Sequence, residues 1–81
     1  MKFTLFDLKS ILNSDIKNNS FLFYKINNLY YDELEEIILK NGGIIKKILT
    51  NKIDFVITSV NYDSIIEKLI KKQITILQLV S

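Results

Sequence analysis

Two short runs of this chain, Phe21-Leu22-Phe23-Tyr24 and Phe55-Val56-Ile57, are apolar at every position, and they constrain the fold more than anything else in it. A strand with one solvated face alternates apolar and polar residues, because successive side chains point to opposite sides. A strand without alternation is covered on both faces, which is the condition of parallel sheets flanked by helices. The segments around these runs carry helical signals. Asp32 precedes Glu35 by three residues, a capping-box pattern, and Leu34, Ile37 and Ile38 then repeat at helical spacing. Asn41-Gly42-Gly43 ends that helix, with a glycine for the left-handed position beyond it. Ser64 and Glu67 form a second capping-box start, and Ile65, Ile66, Leu69 and Ile70 make the stripe of a second helix.

Residues 44–49 are mixed, with Lys46-Lys47 in the middle, and read as an edge strand. Thr50-Asn51-Lys52 reads as a turn, 53–58 as a buried strand and 74–80 as the last strand. The order over residues 20–81 is therefore β-α-β-β-α-β. Two folds satisfy it: an α/β four-stranded parallel sheet with helices on both faces, or a ferredoxin-like α+β sheet in which the two middle strands form an antiparallel hairpin. The unalternating runs favour the parallel sheet. Residues 1–19 are read as an N-terminal helical extension: Phe3, Leu5 and Phe6 open a short strand, Asp7 caps a helix, and Leu8, Ile11 and Leu12 share its buried face.

Composition narrows the chemistry. The chain has no Cys and no His, which removes disulfides, thiolate metal sites and the commonest general acid/base near neutral pH. No metal or cofactor is expected, and no nucleophile triad or glycine-rich phosphate loop is present, so the chain is read as a non-enzyme. Eleven basic residues, all Lys, face nine acidic ones, for a net charge of +2, too small to mark a nucleic-acid binder by itself. Apolar windows are interrupted by charged residues, Asp7 among them, so no membrane span or signal segment is expected. The expected location is intracellular, in the nucleus, or in the cytoplasm if the source is viral.

The stretch from Glu33 to Ile45, a helix ending in Gly42-Gly43 before a strand, resembles the first helix, Gly-Gly turn and second strand of BRCT domains. Residues 52–57 resemble that family's third strand, with Asp54-Phe55 where Thr-His is usual. Residues 68–77 resemble its second helix and fourth strand, with Gln73 where Gly is common. The likeness covers residues 20–81. BRCT domains normally continue into a third helix with a buried Trp, and this chain has no Trp. Either the chain is a piece of a longer protein or, as is favoured, the helix around Leu8–Leu12 covers the sheet face this would leave bare.

The resemblance implies a protein-interaction module of a DNA-repair or replication factor, with a protein partner, phosphorylated or not, DNA ends, or a second copy of the chain as the partners to expect. In phosphopeptide-binding members, phosphate is held after the first strand and by a Lys of the second helix. By position these become Asn27, Asn28 and Lys68. The competing account makes Asn27-Asn28 a turn and Lys68 a solvated residue, and it is favoured. Lys46, Lys47, Lys52, Lys71 and Lys72 are the candidate contacts to a DNA backbone, against a solubilising rim. The remaining readings are a ferredoxin-like nucleic-acid-binding domain and a structural subunit of a replication or viral complex. Glu33, Glu35 and Glu36 are read as complementing a helix amino end, and Tyr30-Tyr31 as a hydrophobic staple.

Overall fold

In the computed structural model, which describes residues 2–50, 52–61 and 63–80, every strand pairing is parallel. The elements are β1 (Lys2–Phe3), α1 (Leu5–Leu12), β2 (Ser20–Tyr24), α2 (Asn28–Lys40), β3 (Ile44–Lys46), β4 (Phe55–Thr58), α3 (Ser64–Lys71) and β5 (Thr75–Leu79). They form one five-stranded sheet in the order β1-β5-β4-β2-β3. The ferredoxin-like alternative is thereby overturned: β3 pairs in parallel with β2, and no hairpin joins it to β4. The expected four strands become five. Lys2 and Phe3 add a strand on the outer edge of β5, in register with Gln78 and Leu79. Asn51, at the centre of the expected turn, lies outside the described residues.

The unalternating strands are covered on both sides, as their composition requires. Phe21, Ile57, Leu77 and Leu79 point to one face, against Leu8 and Leu12 of α1 and Leu34 and Ile38 of α2. Val56, with Leu22, Tyr24 and Ile76, points to the other face, against Ile66 and Leu69 of α3. Phe55, which replaces an expected family residue, stacks on Phe21 with ring centroids 5.0 Å apart. Its neighbour Asp54 accepts a 2.7 Å hydrogen bond from the Ser20 N–H, tying the entry of β4 to that of β2. Connections that step rightward along the sheet pass over the α1/α2 face, and the β4-to-β5 step returns by α3 on the opposite face. One crossover hand accounts for both.

The helix ends show where local reading was incomplete. α1 is capped by Thr4, not Asp7: the Thr4 side chain accepts from the Asp7 N–H, and the Asp7 carboxylate accepts from the Thr4 N–H. α2 begins four residues before the expected cap, because the Asn27 side chain accepts from the Leu29 N–H. That start moves Glu33, Glu35 and Glu36 beyond the first turn, so they do not complement its dipole. Glu33 instead pairs with Lys9 of α1, and Glu35 with Lys47. α3 is capped by Asp63 rather than Ser64. β3 stops at Lys46, and Ile48 and Leu49 lie exposed beyond it.

Both α2 and α3 end in the same two-bond closure. Gly42 N–H donates to the Leu39 carbonyl and Gly43 N–H to the Ile38 carbonyl. Gln73 and Ile74 repeat this onto Ile70 and Leu69. The residue that turns the chain must take a left-handed conformation: Gly42 has φ +83°, which glycine adopts freely, but Gln73 is held at φ 64°. Gln73→Gly is expected to stabilise the fold by about 0.5–1 kcal/mol, seen as a higher urea midpoint with an unchanged slope.

Candidate functional site

Parallel strands present all their carboxyl ends at one edge of the sheet. There, α2 leaves β2 over one face and α3 leaves β4 over the other. The two loops diverge and open a crevice between neighbouring strands, the position where open α/β sheets take ligands. Tyr24, Lys25, Asn27, Ser59 and Asp63 furnish it.

Asp63 is the hub of the crevice. One carboxylate oxygen accepts from the Ile66 N–H at 2.8 Å, capping α3, and the other accepts from the Tyr24 hydroxyl at 2.8 Å. Lys25 Nζ stands 4.0 Å from that second oxygen and 5.4 Å from the centre of the Tyr24 ring. The backbone of Lys25 is left-handed, φ 49°, a conformation costly for a side chain of this kind. Across the crevice the Asn27 N–H donates to Ser59 Oγ at 3.4 Å, so both loops are laced together.

These bonds shift the titrations. The Ile66 N–H, then the Tyr24 hydroxyl, hold the Asp63 carboxyl below its ordinary value. The hydrogen bond to Asp63, then burial, raise the Tyr24 phenol above its own. A carboxyl depressed by folding contributes stability that is present above its unfolded pKa, near 3.9, and is lost as pH falls through the lower folded value. Asp63→Asn is therefore expected to flatten the acid limb of the melting temperature below about pH 4, while Ser64→Ala leaves that limb unchanged.

The structure places the expected phosphate residues unequally. Asn27 and Asn28 lie at the crevice, one as the cap of α2 and the other as its first, exposed residue. Lys68 does not join them: it is exposed on α3, beyond the first turn, with no side-chain hydrogen bond or ion pair to them. The cation at the crevice is Lys25, which reading by position overlooked. The available signal was a Lys directly after a buried strand and two residues before the Asn pair.

The expected DNA-backbone lysines are spread across the sheet from β3 to β5. Lys46 and Lys47 lie at the end of the outer edge strand β3, Lys46 level with Leu22 of β2 and through it with Val56 of β4, whereas Lys52 precedes β4 and Lys71 and Lys72 end α3 ahead of β5. A helix returning between parallel strands runs against them, so the last residues of α3 lie at the amino end of β5, three strands across from β3. Lys47 is also engaged: its ammonium donates to the Tyr31 hydroxyl at 3.0 Å and lies 3.6 Å from Glu35. Tyr31 and then Glu35 hold that ammonium above the usual lysine range. Tyr31 itself packs on Phe23, with ring centroids 4.6 Å apart, inside the first turn of α2 rather than ahead of it.

Among the described residues no three acidic, His or Cys side chains gather to hold a metal, and no helix is long and apolar enough to cross a membrane. Set against known protein families, curated proteins and solved structures, the chain finds no match in any of the three comparisons.

Proposed function

We propose that the chain is a non-enzymatic protein-interaction module of the BRCT kind, carried by a DNA-repair or replication factor in the nucleus, that engages a partner at the carboxyl edge of its sheet. The Gly42–Gly43 junction supports this reading most. It is the most specific part of the resemblance. Gly42 supplies the left-handed turn, and a Cβ on Gly43 would lie 2.6 Å from Ile38 Cγ2 and 3.2 Å from Phe21 Cε1. Gly42 suits the left-handed turn and Gly43 the close packing of α2 on β2, which gives the motif a structural reason.

A phosphorylated segment would meet the Asn27 amide, the start of α2 and Lys25, with Asp63 opposing the added negative charge. Amide NMR with a phosphoserine peptide library, and separately with a DNA duplex bearing phosphorylated ends, tests this. Shifts centred on Lys25, Asn27 and Asn28, weakened by Lys25→Gln and strengthened by Asp63→Asn, are expected for phosphate capture. Saturation without phosphate dependence would leave a module that reads protein surface. No binding to any peptide or duplex would contradict the reading.

A second reading is a structural subunit that also pairs with itself, and one observation favours it: Ile44 on the edge strand and Ile48 and Leu49 beyond it are all exposed, Ile48 by 72%. Sedimentation at high concentration tests the self-pairing, and the peptide and duplex titration separates the two. A dimer weakened by Ile48→Lys supports this second reading, and a monomer at all concentrations excludes self-pairing.

A further inference from the structure

The two faces of the sheet are not equally covered. Five strands span about 24 Å, and a helix covers about 10 Å. α1 and α2 together roof one face, while α3 alone lies on the other. The part of that second face over β5 and β1 is left as a groove of about 330 Å³, within the range of small-ligand pockets. One wall is apolar, built from Ile66 and Ile70 of α3 with Ile76 of β5.

The groove ends at a row of polar side chains in register across three strands. Lys2 of β1 lies beside Gln78 of β5, and Gln78 beside Thr58 of β4. Thr58 is 1% exposed and Gln78 9%. Thr58 Oγ1 accepts from the Val60 N–H at 3.2 Å, which leaves its proton to donate. Gln78 Nε2 donates to the Val60 carbonyl at 3.0 Å and to Asn61 Oδ1 at 2.8 Å, which fixes the amide orientation. Among the described residues nothing donates to Gln78 Oε1, and no carboxylate pairs with Lys2. The groove therefore ends in one ammonium, one hydroxyl donor and one carbonyl acceptor open to the groove.

We infer that this groove binds a small aliphatic acid that carries an N–H or O–H donor beside its carboxylate. The carboxylate accepts from Lys2 and Thr58, the adjacent donor meets Gln78 Oε1, and the branched chain lies against Ile66, Ile70 and Ile76. A plain fatty acid leaves Gln78 Oε1 unpaired, and an uncharged amide leaves Lys2 without a partner. The site lies on the face of α3 and stands independently of the partner reading for the crevice.

The test is an NMR titration of the full chain with N-acetyl-leucine, isocaproate and N-acetyl-leucinamide, which share the side chain but lack in turn the donor and the charge. N-acetyl-leucine is expected to shift the Gln78 side-chain amide, Thr58 and the Ile70 and Ile76 methyl groups, and to bind about tenfold tighter than either analogue. Lys2→Gln, at an exposed position that leaves the fold intact, is expected to remove that advantage over N-acetyl-leucinamide. A tetrapeptide ending in Leu identifies the source: equal affinity assigns a free acid, and much tighter binding assigns a chain end, both within the inferred chemistry. Shifts absent up to millimolar ligand, or three ligands bound equally, would overturn the inference.

Discussion

Leu8→Ala is expected to destabilise the fold by about 2–5 kcal/mol, a large part of the total stability, on the order of 4–12 kcal/mol for a chain of this size. Leu8 and Leu12 are fully buried and belong to the same core as Phe21, Leu34, Ile38 and Ile57. Removing the Leu8 methyl groups loses their burial and leaves a hole between α1, α2 and the sheet. Phe6, on the same helix but 80% exposed, is the control, and Phe6→Ala is expected to stay within about 0.5 kcal/mol of the parent. Urea denaturation reads both. If the two substitutions cost the same small amount, α1 is a loose attachment rather than the cover of the sheet face.

Gly43→Ala is expected to cost about 1–3 kcal/mol, lowering the melting temperature by roughly 5–20 °C. Its backbone is not left-handed, so the cost is steric: the added carbon meets Ile38 Cγ2 and Phe21 Cε1, both on fully buried side chains with nowhere to retreat. The origin can be isolated by a double-mutant cycle. Making room with Ile38→Ala should relieve the part of the Gly43→Ala cost that comes from the 2.6 Å contact with Cγ2, a coupling on the order of 1–2 kcal/mol. At Gly42 the cause differs, because φ +83° penalises any side chain, and no substitution at Ile38 should relieve it.

The parallel sheet was legible in the residues because two-sided burial leaves a direct trace. Phe21–Tyr24 and Phe55–Ile57 lack alternation, and both lie between helices. The helix over Leu34 and Ile38 and its Gly-Gly stop were equally visible, since each is a local rule of spacing or conformation. β1 was only half visible: a two-residue strand has no periodicity, and its place beside β5 is set by pairing across the whole chain. The helix caps were displaced because Thr4, Asn27 and Asp63 sit next to other residues able to cap, and only the path of the preceding strand decides among them.

The candidate sites were harder to read for the same reason. Asn27 and Asn28 were identifiable as a break after a strand, but which cation stands with them depends on the fold. Lys25 reaches Asp63 across 38 positions of sequence because β2 and β4 are neighbours, while Lys68 is carried away along α3. The five lysines looked like one patch when counted along the chain, and the strand order spreads them from β3 to β5. The α3-side groove left no sequence signal at all, since Lys2, Thr58 and Gln78 come from three distant segments that meet only by register.

Each of these features follows from all-parallel pairing with β2 between β4 and β3. Amide-to-amide and amide-to-Hα cross-strand contacts in a nitrogen-edited NOESY spectrum test that pairing most directly. Contacts of Phe21 with both Phe55 and Ile45, of Ile57 with Leu77, and of Phe3 with Leu79 are the predicted result. A hairpin pattern joining residues 44–49 to residues 53–58 would contradict it, and with it the crevice, the groove and the interaction-module reading.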